Sequence, residues 1–313
     1  MAEGGYPGPP AEGDRAAVPP TSGPCAPAQA LPDGSTAPPA GSRPAAAATP
    51  AQVRGPLGPR SARRLHRRSD QASEGLWAVL QISDSAFPAG LFTQSGGLES
   101  AIAEGWLPDA AALRGWVADL LAFSVAPLDG RALAACWRAA GSGELAGVVV
   151  ADRRLEAMRS AREPREGSAR SGRRVLALAA ALVEGDCPPA SGEPAAAVLG
   201  DFHRAAARGE TPGHHAAVLG VLGRAWGAPL RPLLIGTLFA AASGMLAAAV
   251  RLGSTDHIAA QAALCGLRPV VAGLAREAAR RGRSEDQPWT AFAPAAEIAA
   301  MRHEAARVRL FAT

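Results

Sequence analysis

The chain has 313 residues, with 32 basic against 28 acidic side chains and a pI near 9.3, a balance too even for a protein built around a nucleic-acid stripe. All of its basic side chains are arginine, so a phosphate-binding Gly-x-x-x-x-Gly-Lys loop is excluded. The four cysteines (Cys25, Cys136, Cys187 and Cys265) are far apart, which excludes a disulfide scaffold and points to a reducing compartment, the cytoplasm.

Residues 1–73 are rich in Pro, Ala, Gly and Ser and contain a single aromatic, Tyr6. Such a segment cannot bury enough apolar surface to offset the entropy of ordering, so it reads as a disordered leader without a secretory apolar core. Its densest basic run, Arg60 to Arg68, has no interleaved aromatics and reads as a solvated tail. Residues 74–313 are rich in Ala and Leu and show no persistent period of two, which predicts a single compact all-α domain of about ten helices.

A first helix over 74–86 is expected to turn Leu76, Val79, Leu80 and Ile82 to one side, with Pro88 and Gly90 breaking it. A second runs from about Ser95 to Glu104, capped by Ser95 and ended by Gly105. Asp109 caps a third, with Leu113, Trp116, Val117, Leu120 and Leu121 at helical spacing, and Pro127 ends it. Asp129 then caps a helix through Ala140, and 144–159 reads as helix despite Val148 to Val150. The Arg-rich stretch 159–174 reads as a loop entering a helix over 173–184, and 185–193 as a linker. Further helices are predicted over 194–208, 214–226, 229–252, 256–281 and 294–310. Leu233 to Val250 carries no charge and is long enough to cross a membrane, so a membrane-associated all-α protein is the alternative. Its Ala, Gly and Ser content and the flanking Arg231 and Arg251 favour a buried central helix. Cys136 and Cys265 read as small core residues.

No spacing singles out a catalyst. His303-Glu304 opens a zinc-protease pattern, but the fourth residue after His303 is Arg307, which cannot ligate a metal. Adjacent His214 and His215 would point about 100° apart on a helix, so they read as structural or helix-start residues. Gly-x-Ser-x-Gly is absent, Thr93 standing where the first glycine would be. The expectation is no catalytic residue and no resident metal or cofactor.

The order of residues is more specific than the composition. A helix ending in Ser83-Asp84, the turn Pro88-Ala89-Gly90 and the start Ser95-Gly96-Gly97-Leu98-Glu99 follow one another. Gly172-Arg173-Arg174-Val175-Leu176, then Val250-Arg251-Leu252 with Gln261, then Arg302-His303-Glu304 and Arg309-Leu310-Phe311 come later. In this order they resemble the urease accessory protein UreF family over residues 74–313. The sequence departs from the family at Gln94, where His is frequent, and at Ser254-Thr255-Asp256-His257, in place of Pro-Leu-Gly-Gln.

The resemblance implies an assembly factor rather than an enzyme. It implies a homodimer that bridges the accessory protein UreD (also called UreH) and the GTPase UreG, acts on the urease apoprotein and couples GTP hydrolysis to nickel insertion. Nickel would be handled by the complex, with no nucleic-acid or membrane partner. The implied partner-binding residues are Phe92, Thr93, Gln94, Ser95, Gly97 and Glu99, then Arg173 and Arg174, then Arg302, His303, Glu304, Arg307, Arg309, Leu310 and Phe311. The segment 294–313, with Ile298, Met301, Ala305 and Val308 on one face, is expected to dock into a partner's groove.

Overall fold

A computed structural model describes residues 72–87, 95–184, 193–282 and 288–312. These all lie in one of the chain's two units, Pro56–Thr313. Most of the expected leader, Phe92 to Gln94 and nearly all of the linker after Gly185 lie outside the described residues. Among the described residues there is no strand, in keeping with the all-α expectation.

Helix α1 covers 72–83. It is followed by α2 (Leu98–Ala103), α3 (Ala110–Leu120), a π-helical segment (Leu121–Gly130), α4 (Arg131–Ser142), α5 (Leu145–Met158) and α6 (Arg162–Glu184). Then come α7 (Glu193–Ala207), α8 (His215–Ala225), α9 (Leu230–Arg251), α10 (His257–Arg281) and α11 (Pro294–Glu304). Asp109 and Asp256 cap α3 and α10 by accepting the amides of Ala112 and Ala259, each at 2.8 Å. These side chains satisfy amides that have no partner inside the helix.

Helix α8 is the centre. Its sequence is apolar on every side, and nearly all of its residues are buried between α4, α6 and α7. Gly220 lets α4 approach: a Cβ there would stand 2.4 Å from the carbonyl oxygen of Leu133. Helix α9 packs on α10, the π segment and α2, and keeps one face outward with Phe239 exposed. Three helical stretches are long and apolar enough to cross a membrane by length and composition: Ala110–Ser142, Leu230–Arg251 and His257–Arg281. The enclosed central helix is therefore α8, where two glycines admit neighbours, and not the longer α9.

Several local expectations are corrected. Pro127 does not end a helix. The chain runs on through the π segment, whose wider turn accommodates the missing proline N–H, and Asp129 is an ion-pair partner of Arg159 rather than a cap. The stretch 162–174 is not a loop but the first half of α6. Gly172 sits mid-helix because the loop before α8 crosses there, its Gly213 oxygen only 1.9 Å from where a Cβ would be. Leu76 and Leu80 face outward, and α1 buries Ala78, Val79 and Ile82 instead. Gly97, not Ser95, is the N-cap of α2. Cys265 is exposed, while Cys136 is in the core. Helix α11 ends at Glu304, short of Leu310.

Candidate functional site

The residues that close the chain fold back onto those that open the domain. Gly97 takes a left-handed backbone with φ of 86° at the start of α2, and a Cβ there would lie 2.9 Å from both the Ala296 oxygen and the Ala300 nitrogen of α11. Only glycine meets both demands, so α11 lies directly against the start of α2. This contact buries Ser95, Leu98, Ala296, Ala299 and Ala300.

Glu99, one turn into the contact, receives the C-terminal segment. Its Oε1 accepts the Leu310 amide at 2.7 Å and its Oε2 accepts the Phe311 amide at 3.1 Å. His303 is fully buried with both ring nitrogens on carboxylates: Nε2 is 3.0 Å from Glu99 Oε2 and Nδ1 is 2.6 Å from Glu163 Oε2. A neutral imidazole has one N–H and can donate to one of the two, whereas the imidazolium donates to both. Glu163 also accepts Arg309 Nη1 at 2.6 Å, so this carboxylate joins the His303 ring to the C-terminal segment. Burial opposes ionisation of Glu99, but the amide of Leu310, the His303 ring and the amide of Phe311 outweigh it and hold the carboxyl below its ordinary value.

Further contacts fasten the edges of this clasp. Arg251, at the end of α9, lies over the Phe311 ring at 4.5 Å. Arg302 pairs with Glu104 and lies over Trp106 at 5.4 Å. Arg162 meets Glu304 at 3.2 Å, and Ser160 donates to Glu297 at 2.6 Å.

Three of the four sequence patterns therefore meet in one place. Ser95, Gly97, Glu99, His303 and Phe311 are interior members of the clasp, while Arg302, Arg307, Arg309 and Leu310 are on its surface with Glu304 half-buried. Phe92, Thr93 and Gln94 lie outside the described residues. Arg173 and Arg174 are exposed on α6, about 15 Å along the helix from Glu163. Arg173 donates to the Pro212 oxygen at 3.0 Å. The face of Ile298, Met301, Ala305 and Val308 is turned outward, and the opposite face of α11 closes the fold.

Two acids central to this architecture were not singled out from sequence. Glu163 stands in the stretch expected to be a loop, nothing local marks it, and it lies in the first turn of α6. Asp152 is fully buried on α5 and accepts Thr211 Oγ1 at 2.6 Å, Gly213 N at 2.7 Å and His214 N at 2.8 Å, so it orders the entry to α8. His214 is the N-cap residue of α8, with Nε2 2.6 Å from Glu156, which gives it the helix-start place expected of it. No group of three or more His, Cys, Asp or Glu side chains suited to a metal ion occurs among the described residues.

Comparison with known proteins adds a family to this geometry. The UreF family model matches residues 107–268. A urease accessory protein UreF of Cereibacter sphaeroides is 33% identical over 244 residues, covering 77% of this chain and 100% of the relative. Those of Paenarthrobacter aurescens and Pseudomonas paraeruginosa are 31% and 30% identical, covering 75% of this chain and 96% and 98% of themselves. The match spans the helical body, and the relatives extend it over most of the described domain: the chain belongs to the UreF family of urease accessory proteins.

Proposed function

We propose that the protein is a non-catalytic assembly factor for urease. In this reading it dimerises in the cytoplasm, bridges UreD (UreH) and the GTPase UreG, and couples GTP hydrolysis to nickel insertion into the urease apoprotein. Nickel is cargo of the complex, and this chain supplies binding surfaces whose preference for one partner state shifts the equilibrium.

The observation that carries the reading is the clasp. It fixes the C-terminal segment in one geometry at the expense of buried charge, and it leaves Ile298, Met301, Val308 and Leu310 exposed beside Arg302, Arg307 and Arg309. An apolar cluster rimmed by arginines, held rigid by contacts beneath it, is suited to a partner's groove. Arg173 and Arg174 offer a second, basic surface on α6 for an acidic patch of the GTPase.

The test is co-expression of the full chain with UreD and UreG from one source, followed by size-exclusion chromatography with light scattering. The expected result is a ternary peak that loses UreD when Val308 and Leu310 are both replaced by Asp, with helicity unchanged. A well-folded chain that elutes alone, or a peak indifferent to the double substitution, would overturn the reading.

A further inference from the structure

Behind the clasp lies a cavity of about 250 Å3. One water needs only about 10–15 Å3, so this space is large enough for an organic molecule. Small side chains create it: Ala240, Ala241 and Gly244 on α9 face Ala296 and Ala300 on α11. A Cβ at Gly244 would meet no atom within 4 Å. The π segment forms another wall, with Val125 and Leu128, and π turns inside helices are frequent at functional sites.

The polar groups on the lining define the chemistry. Ser168 is 6% exposed, and its Oγ is buried with no hydrogen-bond partner. The Nδ1 of His215 and the Nε of Arg159 are buried and unpartnered as well, and all three residues line the same cavity. Buried polar atoms without partners are few in folded proteins and each calls for a cause. The charge of Arg159 is already balanced by Asp129. Burial pushes the His215 imidazole down to about 4, so it is neutral near pH 7. An anionic guest would therefore meet only a cation that is already paired, with the Glu297 carboxylate also on the lining.

We propose that this cavity binds a small, uncharged, mainly aliphatic molecule with a single hydroxyl-type polar head, the head against Ser168, His215 and Arg159 and the tail against the α9 and α11 alanines. The site is independent of the partner surfaces proposed above. Exposed Ser160 and half-buried Ala293 mark its mouth, and the Ser160–Glu297 hydrogen bond ties its rim. Transfer of the tail from water supplies the affinity, and the hydroxyl head, which both donates and accepts, satisfies polar atoms that the fold leaves open.

The probe is 1-hexanol, titrated calorimetrically into the full chain, with hexanoate as its charged counterpart. Saturable binding at one site is expected, with hexanoate at least tenfold weaker. Gly244→Leu fills the tail space and should weaken 1-hexanol at least tenfold; Ser168→Ala should weaken it severalfold. Ala240→Met serves as a second filling variant should Gly244→Leu fail to fold. Absence of saturable binding, hexanoate binding as tight as 1-hexanol, or unchanged affinity in the folded filling variants would each overturn the proposal.

Discussion

The α4–α8 crossing and the C-terminal clasp hold the same domain together by opposite means. At the crossing, backbones touch: Gly220 brings α8 onto the Leu133 carbonyl, and the neighbours Leu133, Cys136, Val221 and Leu222 are buried and almost wholly apolar. At the clasp, polar groups meet: the buried His303 ring lies between the carboxylates of Glu99 and Glu163, with two backbone amides and the surface Arg309 completing the set. An apolar crossing tolerates no added volume but asks little of geometry beyond shape. A buried hydrogen-bonded clasp asks for every partner at once, and removing one strands the others. The first arrangement suits a permanent core. The second suits a segment whose position must be specified while its outer face stays available.

The largest effect should follow from adding one methyl group at the crossing. Gly220→Ala places a Cβ against backbone that cannot rotate away, and we expect a loss of about 3 kcal/mol, or roughly 10 °C in Tm. Thermal unfolding of the full chain measures it. A shift below about 2 °C would mean that the helices can slide apart cheaply, and the contrast with the clasp would vanish.

His303→Ala should act locally. Two carboxylates lose the ring that lies between them, a cost of about 3 kcal/mol that falls on the C-terminal segment rather than on the core. Hydrogen exchange at the Leu310 and Phe311 amides should accelerate about a hundredfold, while Tm changes little. A global loss of stability with unchanged local exchange would show that the clasp folds as part of the core.

Acidification should separate the regions by pH window. The unfolded chain protonates His215 below about 6.5, the folded chain only below about 4, so the unfolded state holds more protons in between. Stability from this source is intact above pH 6.5 and falls through that interval, by roughly 3 kcal/mol in all. Glu99 is depressed relative to its ordinary carboxyl value, so its contribution is complete above about pH 4.3 and is lost only as pH falls further. Urea midpoints measured at pH 7 and 5 should fall together with the pH, and His215→Leu should flatten that slope. Tail exchange should hold until the pH drops below the carboxylate range.

How much of this was legible in the sequence follows from range. Helix existence came through because it rests on period and caps: Asp109 and Asp256 cap the helices they precede, and α5 forms despite its three valines. Local breakers misled where tertiary contacts override them. Pro127 is absorbed by a wider turn, and Gly172 is a close approach rather than a loop signal. The clasp was half visible: its members stood in the patterns at the two ends, but their mutual contact joins residues about 200 apart in sequence, which no local rule reaches. Glu163 carried no signal at all, because its role exists only once α6 and α11 meet.

The smallest expected effect on stability sharpens the comparison at its outer edge. Arg302 pairs with Glu104 and covers Trp106, yet its side chain is 53% exposed. Solvent screens such a pair, and Arg302→Ala should cost under about 1 kcal/mol, with tail exchange within a few-fold of the parent. His303 and Arg302 are adjacent in sequence but differ in this way because one points into the clasp and the other away from it. If Arg302→Ala leaves the chain intact yet removes UreD from the ternary complex proposed above, that side chain acts on the partner. If it loosens the tail as His303→Ala does, the exposed pair belongs to the clasp, and the outward face begins beyond it.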